Sequence, residues 1–135
     1  MTSYEPLFIS GHPKPKGSWT PFYRKTGKVG LRPASNKTAK WCKDAEEQLA
    51  VLWRGPMIEG PVRVDLKFLI PRPKTVVRKY PVGRYDGDID KLMRGILDAM
   101  TGVVYKDDSQ VIRSILEQDY TDGMPGVWIT ISDDV

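Results

Sequence analysis

The stretch at residues 86–100, DGDIDKLMRGILDAM, decides the fold because its apolar residues recur with the period of an α-helix. The residues that would share one buried face are Ile89, Leu92, Met93, Ile96, Leu97 and Met100. This spacing predicts a helix from about residue 89 to residue 100, with Asp88 as its N-cap and Gly102 as its stop.

The remaining patterns predict a small α+β domain that spans residues 1–135, with two main helices packed on a mixed or mainly antiparallel sheet. The other helix is expected from a cap at Ser35 or Asn36 to about Arg54, with Trp41, Ala45, Leu49 and Leu52 at helical spacing. The strict alternation of residues 62–70 indicates a half-buried strand. Further strands are expected at 6–10, in a hairpin that turns at Thr26-Gly27, at 103–105, and in two final segments at 110–120 and 126–132.

Cysteine and histidine content excludes several classes of site. Cys42 and His12 are each the only residue of their type, which removes disulfide frameworks, Cys/His zinc sites and a Ser-His-Asp triad. Any bound metal would therefore have oxygen ligands and be a hard ion such as Mg²⁺, Mn²⁺ or Ca²⁺. No apolar run approaches a membrane span and no signal peptide is recognisable, so we expect a cytoplasmic protein without membrane contact.

The charge of the chain is unevenly distributed. The net charge is +4, from 21 Lys+Arg against 17 Asp+Glu, and residues 1–40 contain eight Lys/Arg but only one acid, Glu5. A basic first part is suited to a polyanionic partner, although a solvated surface loop would have the same composition.

Six aspartates nevertheless gather around the predicted helix, between residues 86 and 108. Asp88 and Asp90 lie at its start. If residues 103–105 form a strand that runs back along the helix, Asp107 and Asp108 return to the same end. Three carboxylates from two segments would then surround one point, and a cation would be the simplest compensation for their repulsion.

Three structural explanations compete with a metal site. Asp88 and Asp90 would simply cap the helix and complement its dipole. Asp90 and Arg94 are spaced for a surface ion pair at i,i+4. Residues 107–109 are also typical turn formers.

The segment DGDIDKLMRGILDAMTGVVYKDDSQV, residues 86–111, closely resembles the signature of the RusA family of Holliday-junction resolvases, especially its phage-type members. GHPKPKGSW, residues 11–19, is similar to a second family segment more loosely. The resemblance implies a homodimeric, Mg²⁺-dependent endodeoxyribonuclease, with Mn²⁺ as an alternative ion. Such an enzyme nicks two strands of a four-way DNA junction during recombination and repair.

The resemblance also implies the site residues. The metal ligands of the family fall on Asp88, Asp90 and Asp108, and Asp107 is a further candidate beside the last. Such an ion would activate the attacking water and stabilise the leaving oxygen.

Two positions depart from the family pattern. A family lysine falls on Arg94, which keeps the charge and can hold a phosphate but is a poor proton donor, so we assign it to phosphate or transition-state charge. The common asparagine after the second aspartate is Lys91, a candidate DNA contact. Asp98 belongs to the pattern, and we expect it to have a structural role.

Basic residues of the two Pro-rich loops are the expected grip on DNA phosphates. They are Lys14, Lys16, Arg24, Lys25, Lys28, Arg32, Arg72, Lys74, Arg78, Lys79 and Arg84. Trp19, Phe22 and Tyr23 would either stack on unpaired bases or fill the core beneath the loop.

Other functions remain open at this stage. The alternatives are a nuclease for other branched DNA, a catalytically silent nucleic-acid-binding protein, and an enzyme that acts on structured RNA. The resolvase function itself requires a dimer, because two nicks related by the two-fold axis of a junction need two matching sites.

Overall fold

The computed structural model describes residues 2–16, 19–23, 25–33, 36–82 and 87–133, with residues 19–23, 29–33 and 36 described through their backbone. The elements in chain order are β1 (Leu7–Ser10), β2 (Trp19–Tyr23), β3 (Val29–Pro33), α1 (Asn36–Leu52), β4 (Val62–Pro71), α2 (Ile89–Met100), a short 3₁₀ helix (Asp108–Gln110), β5 (Val111–Arg113), β6 (Leu116–Thr121) and β7 (Gly126–Ser132). In the described ranges, no helix has both the length and the apolar character needed to cross a bilayer.

The main sheet is mixed, as predicted, and β4 is its centre. β7 pairs with β4 in antiparallel register and β1 pairs with the far edge of β7. On its other side β4 pairs in parallel with β5 and then with β6. β2 and β3 form a separate antiparallel ribbon, which confirms the predicted hairpin, and its turn uses Gly27 at a φ of +82°.

α2 has the predicted bounds and positions the acidic residues. Leu92, Ile96 and Met100 are fully buried, so the apolar stripe faces the core as expected. Asp88 occupies the N-cap position with extended backbone, but its carboxylate makes no capping hydrogen bond. The predicted position of the cap is thus confirmed, whereas its side chain does not bond to the helix amides.

α1 also forms, and it packs beside α2 on the core face of the sheet. Trp41, Ala45 and Leu49 are buried, but Leu52 is 38% exposed. The predicted stripe is therefore wrong at its last member, because the helix ends at Leu52 and the next residue, Trp53, packs instead. The alternative cap Ser35 lies outside the described residues.

Two of the predicted strands differ in the structure. Residues 103–105 form a turn rather than a strand, because Gly102 takes a φ of +85° and its amide donates to the Tyr105 carbonyl at 2.7 Å. Residues 110–120 divide into β5 and β6, because Ser114 and Ile115 between them form hydrogen bonds to residues of β4. The Ile115 amide donates to Asp65 Oδ1 at 2.9 Å, and Ser114 Oγ donates to the Val64 carbonyl.

Candidate functional site

The first acidic group lies at the start of α2. Asp88 and Asp90 are both exposed, and the Asp88 Oδ2 lies 3.6 Å from the Lys91 Nζ. Neither Asp90 nor Arg94 forms an ion pair with a described side chain, so the i,i+4 pair considered from the sequence is not made. Asp88, Asp90 and Arg94 thus present exposed side chains at the N-cap and in the first two turns of the helix.

The second acidic group follows α2 and begins with Asp107. Its side chain accepts a hydrogen bond from the Ser109 amide at 2.9 Å, and the Gln110 side chain accepts from the Asp107 amide at 3.0 Å. These bonds form a capping box on the 3₁₀ helix. The hydrogen bond from the Ser109 amide lowers the pKa of the Asp107 carboxyl. The turn chemistry considered from the sequence therefore explains Asp107.

Asp108 is exposed and has a different environment. Partial desolvation raises the pKa of its carboxyl, and the neighbouring negative charges of Asp107 and Asp98 act in the same direction. Beneath this group, Tyr105 is fully buried and its hydroxyl donates to the Leu97 carbonyl at 2.8 Å. Burial and then the charge of Asp108 raise the pKa of Tyr105 well above its ordinary value.

The structure does not bring these two acidic groups together within one chain. About ten residues of helix, or about 15 Å of axial rise, separate Asp88 from Asp98. The carboxylates that act on Asp108 are Asp107 and Asp98, not those at the start of α2. Asp107 and Asp108 do not return to the start of α2, because residues 103–105 form a tight turn at the end of the helix. They were expected to form a strand along it.

The side chains of the site suit a hard cation in kind but not in number. Exposed carboxylate oxygens are the ligands that Mg²⁺ and Mn²⁺ prefer. Within the part of the chain that the structure describes, however, no three Asp, Glu, His or Cys side chains lie close enough together to hold one ion. A complete metal site would therefore need a further contribution beside the described residues of a single chain.

Lys16 lies along α2 rather than free in a loop. Its amide donates to the Lys91 carbonyl at 3.0 Å, and its Nζ lies 3.1 Å from Asp98 Oδ2. Gly95 lies beneath this segment, and an added Cβ there would be in ordinary contact with the Lys16 Cβ, at 3.5 Å. This ion pair was missed from the sequence, because no local pattern marks a contact between two segments so far apart in the chain.

A basic cleft lies between the segment after β1 and the start of α1. It has a volume of about 360 Å³, and its lining includes His12, Lys14, Lys37 and Lys40. Burial lowers the pKa of Lys14, and the positive charge of Lys37 lowers it further. Lys37 and Lys40 were missed as candidate DNA contacts, although their positions in the first two turns of a helix beside a basic segment were visible in the sequence.

The other predicted DNA contacts vary in their environment. Lys25, Lys28, Lys74, Arg78 and Lys79 are exposed, whereas Arg72 is held within its own loop. Arg24 and Arg84 lie outside the described residues, as do the side chains of Trp19, Phe22, Tyr23 and Arg32. Stacking of the three aromatic side chains on bases therefore stays a prediction.

Comparison with known proteins identifies the family. A family model described as "Endodeoxyribonuclease RusA" matches residues 12–132, nearly the whole chain. The chain belongs to the RusA endodeoxyribonuclease family. It is also 32% identical over 110 residues to the "Uncharacterized protein YqaN" of Bacillus subtilis (strain 168), in an alignment that covers 73% of this chain and 72% of that protein. The RusA match includes both acidic groups and the basic segments, and it confirms the resemblance seen in the sequence.

Proposed function

We propose that this RusA-family protein is a single-domain, structure-selective endonuclease that resolves four-way DNA junctions by paired, Mg²⁺-dependent nicks during recombination and repair. The observation that carries the proposal is the exposed carboxylates at both ends of α2, in a chain of net charge +4 that belongs to an endodeoxyribonuclease family. Acidic side chains repel DNA unless a cation joins the two, so their position beside basic loops favours metal-dependent chemistry on a phosphodiester.

The proposed ligands are Asp88, Asp90 and Asp108, with Mn²⁺ as the expected substitute for Mg²⁺. Asp107 is a weaker candidate because its carboxylate is engaged in the capping box. Arg94 is exposed about one turn after Asp90. Because an arginine side chain is a poor proton donor, its proposed role is to hold a phosphate or to stabilise transition-state charge rather than to transfer a proton.

The homodimer is a second part of the proposal. Within one chain, Asp88 and Asp90 lie at one end of α2 and Asp108 lies beyond the other end. The structure around α2 keeps these two ends apart. The helix is continuous with its apolar face buried, and Gln110 Nε2 ties the 3₁₀ helix to the carbonyls of Ile58 and Gly60 at 2.8 Å and 2.9 Å. We therefore propose that a second chain supplies the missing carboxylates, which would give two sites related by a two-fold axis.

The basic surface would hold the junction arms. The exposed lysines of the loops and the cleft at the start of α1 would contact phosphates without reading sequence. Lys91 lies beside Asp88 at the start of α2, so its ammonium would contact the phosphate nearest to the site. Lys16 is the exception, because its ammonium neutralises Asp98 in the folded chain.

The experiment compares cleavage of a labelled four-way junction with cleavage of linear duplex of the same sequence, in Mg²⁺ or in EDTA. Wild type is tested beside Asp88→Asn and beside Glu117→Gln, a matched loss of one exposed carboxylate on β6. We expect junction-selective nicks in Mg²⁺ that Asp88→Asn loses and Glu117→Gln keeps. Equal cutting of both DNAs, or cleavage of other branched DNA in preference, would refute junction specificity, and binding without cleavage in either ion would refute the enzyme.

A further inference from the structure

The loop of residues 73–82, between β4 and α2, is anchored by the residue that precedes it. Arg72 directly follows β4, and its amide donates to the Thr121 carbonyl at 3.3 Å. This bond extends the pairing of β4 with β6 by one residue. The side chain of Arg72 consequently starts from a fixed point of the sheet rather than from a free loop.

The guanidinium of Arg72 is directed into the loop itself. One terminal nitrogen donates to the Arg78 carbonyl, and the other lies 3.4 Å from the Lys79 carbonyl. Its central carbon lies 4.6 Å from the centre of the Tyr120 ring. The planar, forked shape of arginine allows both carbonyls and the aromatic face to be satisfied together.

These contacts distinguish Arg72 from the basic residues beyond it. Its side chain is 29% exposed and its Nε also lies 3.9 Å from Asp122 Oδ1. Lys74 and Lys79, by contrast, present exposed side chains. A phosphate that bound Arg72 would have to replace hydrogen bonds that already order the loop. Among the described residues the ammonium groups of Lys74 and Lys79 make no hydrogen bond, and that of Lys79 only lies 5.3 Å from the centre of the Tyr80 ring.

We propose that Arg72 is a positioning residue of the DNA-binding loop and not itself a phosphate contact. It fixes the backbone at Arg78 and Lys79, so that the exposed lysines of the loop face the DNA in one arrangement. The effect on DNA rests on the proposed function, because it assumes that the loop binds a junction arm. The order of the loop itself does not depend on that function.

The test compares Arg72→Lys, Tyr120→Leu and Lys74→Gln in the intact protein. Arg72→Lys keeps the positive charge but loses the fork, and Tyr120→Leu alters no charge at all. Limited trypsin digestion without DNA measures the rate of cutting after Arg78 or Lys79. Junction affinity and its salt dependence are measured on the same samples, and thermal melting shows that each variant is folded.

We expect Arg72→Lys and Tyr120→Leu to speed loop cutting about tenfold, since each removes contacts to a charged group that hold the loop. Both should weaken junction binding. Lys74→Gln should leave the rate of cutting after Arg78 or Lys79 unchanged. It should reduce the slope of log affinity against log salt by about one.

Two results would overturn the proposal. Unchanged loop cutting in Arg72→Lys would show that Arg72 does not tether the loop, and because this variant conserves charge at a half-exposed position it is expected to fold. A looser loop with unchanged junction affinity would show that its order does not serve DNA binding. If wild type binds no junction, the proposed function fails, while the trypsin rates still decide whether Arg72 tethers the loop.

Discussion

Lys16 and Asp98 form an ion pair of 3.1 Å that joins the segment after β1 to the last turn of α2. The Lys16 amide also binds the Lys91 carbonyl, so the whole segment lies against the helix. The negative charge of Asp98 is thereby compensated inside the chain. This ion pair is compatible with the structural role expected of Asp98, which stays a prediction.

A double-mutant cycle of Lys16→Gln and Asp98→Asn tests this pair. The side chains are 28% and 39% exposed, so solvent screens their attraction and we expect a coupling energy of only about 0.5–1 kcal/mol in urea unfolding. Lys43→Gln, which removes an exposed lysine of α1, should show no coupling to Asp98→Asn. Additive effects of Lys16→Gln and Asp98→Asn would show that the pair contributes nothing to stability.

Asp107 and Asp108 should respond differently to the same substitution. Asp108→Asn should reduce junction cleavage about 100-fold or more, because it removes a proposed metal ligand. Asp107→Asn should leave most of the activity, since asparagine caps a helix about as well as aspartate does. Cleavage rates at saturating DNA measure the effect of each substitution. A larger loss of activity from Asp107→Asn than from Asp108→Asn would show that Asp107 is the metal ligand instead of Asp108.

Mixing two inactive variants tests whether a second chain completes the site. An Asp88→Asn chain paired with an Asp108→Asn chain would form one site with both substitutions and one with neither. We therefore expect the mixture, after joint unfolding and refolding, to regain single nicks on the junction.

The matched control mixes Asp88→Asn with Asp90→Asn, which would leave each site of the mixed dimer with one substitution. This mixture should stay inactive. If the first mixture is as inactive as its components, each site is built from one chain and the shared site is refuted.

The thiol of Cys42 should be unreactive in the folded protein. It is 9% exposed in the core, and burial raises its pKa more than the nearby ammonium of Lys16 lowers it. At pH 8 a disulfide reagent should label this thiol only as fast as the protein unfolds locally or globally. In denaturing urea the labelling should be immediate. Rapid labelling without denaturant would contradict the packing of α1 against α2.

The sequence was sufficient for the elements whose apolar pattern is regular. α2 was predicted at its observed bounds, since its buried stripe is uninterrupted and Gly102 marks its end. The alternation of β4 was equally clear, because every second residue of the strand is buried in the core. For these elements local pattern and tertiary packing favour the same structure.

The errors arose where contacts distant in sequence decide the conformation. Residues 103–105 have the composition of a strand, but the Tyr105 hydroxyl reaches back to Leu97 and folds them into a turn. β5 and β6 separate because Ser114 and Ile115 bind β4, fifty residues earlier. The position of Asp108 follows from that turn, so its geometry could not be predicted from the sequence, and the choice of site residues stays a prediction.

The most direct measurement uses a supercoiled plasmid that extrudes a cruciform, incubated with the protein in Mg²⁺ or in EDTA. Two nicks placed symmetrically across the junction in one encounter convert the plasmid to a linear form, whereas independent single nicks give open circles. We predict Mg²⁺-dependent linear product from wild type and none from Asp88→Asn. Open circles alone from wild type, or no cutting in Mg²⁺ and Mn²⁺, would contradict resolution by paired nicks.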